Sequence, residues 1–125
     1  GYHFRINKGQ QGYLIDPKPM FKAAITDLKS RLPKEIIAYR FHLGLARMIK
    51  KVCLLLREDF AVNNVVLSGG VFQNNLLLSL GLDLLYKEGF EVYRHKALSC
   101  NDSGISLGQA ILAYFSQLNK EIRCA

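Results

Sequence analysis

No apolar run in this chain approaches the ~20 residues that cross a bilayer. The most leucine-rich stretch, LLLSLGLDLL, is interrupted by Ser79, Gly81 and Asp83 and reads as a buried helix face. The opening residues do not read as a secretory signal. Cysteine is scarce: Cys53, Cys100 and Cys124 form no CxxC pair and no even-numbered framework, which argues against a disulfide scaffold. That usage points to a reducing, cytoplasmic setting. Charge of one sign is never concentrated. The net charge is +7, from 17 basic and 10 acidic side chains, but no block reaches the five or six like charges of a nucleic-acid tail. A positive balance of this kind suits RNA, nucleotide phosphates, an acidic partner or simply a soluble surface. Internal repeats and low-complexity segments are also missing.

Several chemical signatures are absent as well. There is no GxxxxGK[ST], which excludes a P-loop. Ser68 does not stand in a GxSxG elbow and is not read as a hydrolase nucleophile. His3, His42 and His95 show no HxxxH or comparable ligand spacing. His42 reads as a hydrogen-bonded packing residue and His95, in a basic loop, as a solvated one. Cys53 falls within a helical apolar pattern and reads as a small core residue. Cys100 directly precedes Asn101-Asp102, but no base can be assigned to it.

What is present is the alternation of an α/β domain. YHFRI (2–6) and GYLID (12–16) are short runs rich in aromatic and β-branched residues, predicting a β-hairpin whose loop uses Asn7 and Gly9. Pro17 and Pro19 stop the strand and lead into a helix over 20–30, with Phe21, Ala24, Ile25 and Leu28 on one face. Pro33 starts a second helix over 34–59. Its stripe of Ile37, Phe41, Leu45, Met48, Val52 and Leu55, widened by Ala38, Ala46, Ile49, Cys53 and Leu56, predicts a central helix covered on two sides. Most of the chain's aromatics fall at such core positions, and Arg40-Phe41-His42 is a candidate for partner contacts.

VVLS (65–68) predicts a short buried strand, and a helix over 74–87 follows. That helix closes at Lys87-Glu88-Gly89, with Gly89 as a left-handed cap. FEVY (90–93) predicts the next strand. The loop RHKALSC then leads to a last helix bearing Ile105, Leu112 and Phe115 on one side, with Gly104 and Gly108 spaced for close packing. Two consecutive β–α units require a parallel strand pair with right-handed crossovers. The expected fold is therefore a mixed sheet, an antiparallel hairpin followed by parallel strands, with helices on its faces. The whole of 1–125 is expected to form one domain.

Two stretches carry candidate chemistry. LSGGVFQNN (67–75) takes a buried strand through paired glycines into a helix. In open α/β sheets ligands bind beyond the carboxyl ends of the strands. Glycines there admit a phosphate or sugar close to the backbone, and a helix start offers free N–H groups. A mere tight turn is the competing reading. CNDSGISLGQ (100–109) repeats the arrangement. Either Asp102 or Ser103 serves as N-cap, or Asp102 faces the same crevice as Gly69-Gly70 and holds a divalent cation through oxygen.

FHLGLA (41–46), VVLSGGVFQN (65–74), GFEV (89–92) and NDSGISLGQA (101–110), taken together and in this order, resemble the C-terminal end of the HypF carbamoyltransferases of [NiFe]-hydrogenase maturation. The same lobe occurs more distantly in tRNA threonylcarbamoyladenosine synthases and antibiotic O-carbamoyltransferases of the ASKHA, RNase H-like superfamily. Both remain alternatives, as does a basic RNase H-like docking domain without catalysis. The resemblance implies an enzyme that takes carbamoyl phosphate and ATP, forms carbamoyl-adenylate and carbamoylates the C-terminal cysteine of HypE. It implies nucleotide contacts at Ser68, Gly69, Gly70, Val71 and Asn74, and a divalent-metal ligand at Asp102. Nucleic acid and membrane are not expected partners.

Ser103 departs from the family, which usually has glycine there. The family's metal-binding histidines and its acylphosphatase-like, zinc-finger and YrdC-like domains precede this segment. The chain, which opens on Gly1-Tyr2 without methionine, is accordingly expected to be a piece of a longer protein. It is expected to work as one lobe beside the rest of a HypF chain and to be inactive by itself.

Overall fold

The structure, a computed structural model, describes residues 1–10, 12–96 and 100–123, with side chains described through residue 117 in the last stretch. Gln11, the ALS of RHKALSC and Cys124 lie outside the described residues. The element order is β1 (Arg5–Gly9), β2 (Gly12–Asp16), α1 (Lys18–Lys29), α2 (Lys34–Phe60), β3 (Asn64–Leu67), α3 (Asn75–Lys87), β4 (Glu91–Arg94) and α4 (Ile105–Arg123). The α/β class stands, with an antiparallel hairpin followed by a parallel pair. The two pairs are hydrogen-bonded as separate two-stranded sheets, β1–β2 and β3–β4.

Two compact units divide the chain. Gly1–Val66 with Asn74–Tyr93 form one, and Leu67–Gln73 with Arg94–Ala125 form the other.

In the first unit the hairpin differs from its sequence reading. Asn7 and Gly9 belong to the ladder, pairing with Leu14 and Gly12, so neither lies in the loop. Gly12 (φ 136°) takes a conformation closed to L side chains. Residues 2–4 are not strand. Tyr2 instead donates its backbone N–H to the Arg40 carbonyl at 3.1 Å and buries its ring.

Gly44 on α2 makes that approach possible, because a Cβ there would meet the Tyr2 carbonyl oxygen at 2.6 Å. The Tyr2 hydroxyl donates to Asp27 Oδ2 (2.7 Å), which also accepts from Arg40 Nη1 at 2.6 Å. Arg40 thus has an ion-pair partner within the chain. The two donors hold the Asp27 carboxyl below its ordinary range.

α1 starts two residues earlier than predicted. Proline in a first turn sacrifices no hydrogen bond, and Asp16 Oδ1 accepts the Lys18 N–H at 2.9 Å. α2 is the central helix, packed against α1 and α3. Its seam with α3 is dry: Ala46 and Leu85 are 0% exposed, and Leu77, Gly81 and Leu85 recur every four residues along α3. Full burial of one leucine there contributes about 1.5–3 kcal/mol.

Beyond α2, Ala61 adopts φ 55°. Asn63 then ties the corner, donating its amide to the Gly89 carbonyl (2.9 Å) while its own carbonyl accepts the Glu91 N–H at 3.1 Å. Arg57 stacks over the Phe90 ring, and Lys50 pairs with Glu88 at 2.8 Å. Gly89 is left-handed (φ 77°), as its place after α3 requires.

The expected burial fails on two helices. Phe21, Ile25 and Leu28 on α1 are 51–58% exposed, and Ile105, Leu112 and Phe115 on α4 are 56–70% exposed. Tyr39, Phe60, Tyr86, Tyr93 and Tyr114 are exposed too, so most aromatics do not occupy the core. Periodicity marks a face that needs cover, and no layer of the described residues covers these.

Candidate functional site

The second unit joins both candidate loops. β3 ends at Leu67, which is 3% exposed, and the chain turns at Gly69, whose φ of 102° only glycine adopts without strain. A short 3-10 turn, Gly70–Gln73, follows, closed by the Phe72 N–H donating to the Gly69 carbonyl at 3.1 Å. The sequence reading ran the glycines straight into a helix and missed this extra turn.

On the other loop, Asn101 rather than Asp102 or Ser103 is the cap. Its Oδ1 accepts the Ser103 N–H at 3.0 Å, and its carbonyl accepts the Gly104 N–H at 3.1 Å. An asparagine in extended conformation (φ −92°, ψ −171°) reaches the amide two residues on, as an Asx turn does. Asp102 opens the 3-10 turn Asp102–Gly104 that leads into α4, and its side chain is exposed.

The loops are fastened to one another by the Gly69 N–H, which donates to the Cys100 carbonyl at 2.8 Å. Gly70 lies over Asn101: a Cβ there would come to 3.8 Å of the Asn101 Cβ, ordinary contact distance. The two glycines therefore have different reasons. Gly69 is required by its own backbone, whereas the fold places no steric demand on Gly70. Ser68, Gly70, Val71 and Asp102 all face solvent.

His95 is exposed, as read, but it also has a partner. Its Nε2 lies 3.0 Å from Ser68 Oγ. Nothing in the local pattern announces a bond between residues 27 positions apart.

Asn74 belongs to the first unit and has a structural duty there. Its Oδ1 caps α3 by accepting the Leu77 N–H (3.0 Å), so its amide nitrogen is turned to His42 Nε2 at 2.9 Å. An amide donor at Nε2 makes that nitrogen the acceptor, and Nδ1–H donates to the Ala38 carbonyl at 2.7 Å. His42 is thus a hydrogen-bonded packing residue, as read, and it is committed within the chain.

Among the described residues no group of three or more His, Cys, Asp or Glu side chains is placed to hold a metal. Asp102 is a single exposed carboxylate, and a competent divalent site needs several oxygens. The residues described do not by themselves fit a resident metal. Apart from the loops, an apolar groove of about 330 Å³ is lined by Cys53, Leu56, Phe60, Val65, Val66 and Phe90. Burial pushes the Cys53 thiol up, away from the thiolate, which suits a packing residue rather than a nucleophile. No described helix is long and apolar enough to cross a membrane.

Within the second unit, the glycine turn after β3 is bonded to the loop after β4, and in open α/β sheets ligands bind beyond such strand ends. Residues 1–109 match the family model described as "Carbamoyltransferase, Kae1-like Domain, second subdomain", and the chain belongs to that family.

Its relatives are HypF proteins. Carbamoyltransferase HypF of Synechocystis sp. is 30% identical over 110 residues, covering 88% of this chain and 14% of the relative. The Rhodobacter capsulatus HypF is 30% identical over 102 residues, covering 82% and 13%. Among solved structures, full-length HypF in the phosphate- and nucleotide-bound form superposes with a TM-score of 0.84 at 38% identity, over 90% of this chain and 15% of that one. HypF of T. kodakarensis gives a TM-score of 0.69 at 30% identity, over 86% and 14%. The chain spans about one seventh of the length of these relatives.

Proposed function

We propose that this chain is the C-terminal nucleotide-binding lobe of a HypF-type carbamoyltransferase. In this reading Ser68, Gly69, Gly70 and Val71 line the nucleotide, and Asp102 supplies one oxygen ligand to a divalent cation whose other ligands come from elsewhere in a longer HypF chain. The observation that carries the reading is the Gly69 N–H to Cys100 carbonyl bond, which fastens the glycine loop to the loop bearing Asp102. The nucleotide-bound relative supports it, and so does a Gly70 for which the fold itself has no steric need.

In the full reaction, water releases phosphate from carbamoyl phosphate, and a carbamate oxygen attacks the α-phosphorus of ATP, so that carbamoyl-adenylate forms and pyrophosphate leaves. The C-terminal cysteine thiolate of HypE then attacks the carbamoyl carbon, a C–S bond forms, and AMP leaves. This lobe's part is to orient the nucleotide with backbone amides and small side chains, which lowers the entropic cost of transfer. A cytoplasmic setting and inactivity of the chain by itself belong to the same reading.

The test is calorimetric titration of the chain with ATP and Mg²⁺. Saturable binding is expected, abolished in Gly70→Val, where a branched side chain fills the ligand's space, and weakened in Asp102→Asn. A folded wild-type chain that shows no heat up to about millimolar ATP, a free energy near −4 kcal/mol, overturns the reading for this chain.

A further inference from the structure

The hydrogen bond between Ser68 and His95 has a directional consequence for whatever meets the glycine loop. A serine hydroxyl has one proton and an imidazole nitrogen is either donor or acceptor, never both. With Nε2 unprotonated, Ser68 spends its proton on His95 and offers a ligand only lone pairs. With Nε2–H present, His95 donates to Ser68 Oγ, and the hydroxyl proton is free to donate outward. An anionic phosphate oxygen accepts hydrogen bonds and rejects lone pairs, so only the second arrangement is productive for a phosphate.

The surroundings favour that ligand. Ser68 is exposed immediately before Gly69, and His95 is flanked in sequence by Arg94 and Lys96, both exposed and both in the same unit as the glycine loop. The basic run Arg94-His95-Lys96 therefore belongs to the unit that carries the candidate site. The Gly69 N–H is already spent on the Cys100 carbonyl, which leaves side chains such as Ser68 to supply donors at this position.

We propose that His95 is a positioning residue for phosphate binding at the glycine loop: it donates Nε2–H to Ser68 Oγ and thereby turns the Ser68 hydroxyl into a donor toward a nucleotide phosphate. The inference rests on the nucleotide reading above and adds to it a residue outside the glycine loop and a chemical sense for Ser68.

The experiment uses the full 125-residue chain. It combines titration of ATP with Mg²⁺, titration of adenosine, and ¹⁵N chemical shifts of the His95 imidazole. His95→Ala and Ser68→Ala are each expected to weaken ATP binding about 5- to 10-fold, the loss of one hydrogen bond. The double variant should be no weaker than either alone, because the two act through one bond. His95→Gln, whose amide is also a donor, should recover most of the affinity, and adenosine binding should not change. The imidazole should carry a proton on Nε2.

An Nδ1–H tautomer with bare Nε2 overturns the proposal whatever the titrations give. So do additive losses in the double variant, or losses of equal size for adenosine. Absence of ATP binding by the wild-type chain overturns the nucleotide reading, and this inference with it. Wild-type binding that His95→Ala leaves unchanged overturns this inference alone.

Discussion

Replacing Asn74 with alanine removes both bonds of one amide. The Oδ1 acceptor at the first turn of α3 is lost, leaving the Leu77 N–H to water, and so is the Nδ2 donor to His42 Nε2. An N-cap exchanged for alanine costs about 1 kcal/mol. The amide–imidazole bond, on an exposed residue, adds under about 1 kcal/mol. The expected destabilisation is therefore about 1–2 kcal/mol, a fall in Tm on the order of 4–8 °C for a chain of this length.

Asn74→Asp separates the parts. A carboxylate caps as well as an amide and is favoured at a helix N-terminus, but it cannot donate to His42. Its loss should stay under about 1 kcal/mol. Urea denaturation followed by far-UV circular dichroism measures both variants. Equal losses in the two would refute the assignment of the larger share to the cap, and no loss in Asn74→Ala would refute both bonds.

Two further outcomes are expected. Gly44→Ala places a Cβ 2.6 Å from the Tyr2 carbonyl oxygen, a backbone atom with no rotamer to yield, and should cost about 1–3 kcal/mol with increased amide exchange at Tyr2, read by hydrogen exchange. Acid should also destabilise the chain. Asp27 (through Tyr2, then Arg40), Asp59 (through Lys8, then Tyr13) and Glu88 (through Lys50) are all held below their ordinary values. A depressed carboxyl contributes stability above its unfolded value, near 4, and loses it as pH falls through the lower folded value. Denaturation midpoints should thus be flat from about pH 7 to 5 and drop below about pH 4. Asp27→Asn should reduce that drop, and a midpoint that rises on acidification would contradict the sign.

Much of this protein is legible without coordinates, because much of it is local. The 4-4-3-4-3 stripe from Ile37 to Leu55 is enough to specify a long central helix, and Lys87-Glu88-Gly89 is enough to end α3. Helix period and cap chemistry act within a turn or two of the residues that encode them. The SGGVFQN and NDSG segments were visible as loop-to-helix junctions for the same reason. Family membership was readable too, since it resides in motif order rather than in distance.

What the pattern could not decide was which partner each group finds. A stripe such as Phe21-Ala24-Ile25-Leu28 says that a face is apolar, not that anything covers it, and on α1 that face is exposed. The hairpin pairs Asn7 and Gly9 instead of looping there, because register is chosen by both strands together and Tyr2 is spent on α2. Asn101, not Asp102 or Ser103, caps the 3-10 turn that precedes α4, because its extended backbone lets Oδ1 reach the Ser103 N–H. Ser68 meets His95 across 27 positions and Asn74 meets His42 across 32. Those pairings exist only once β3 lies beside β4 and α2 packs on α3. The sequence by itself determined the elements, their order and the family; the tertiary fold alone decided which side chains at the strand ends were free to act, because hydrogen-bond partners are set by through-space distance and not by spacing along the chain.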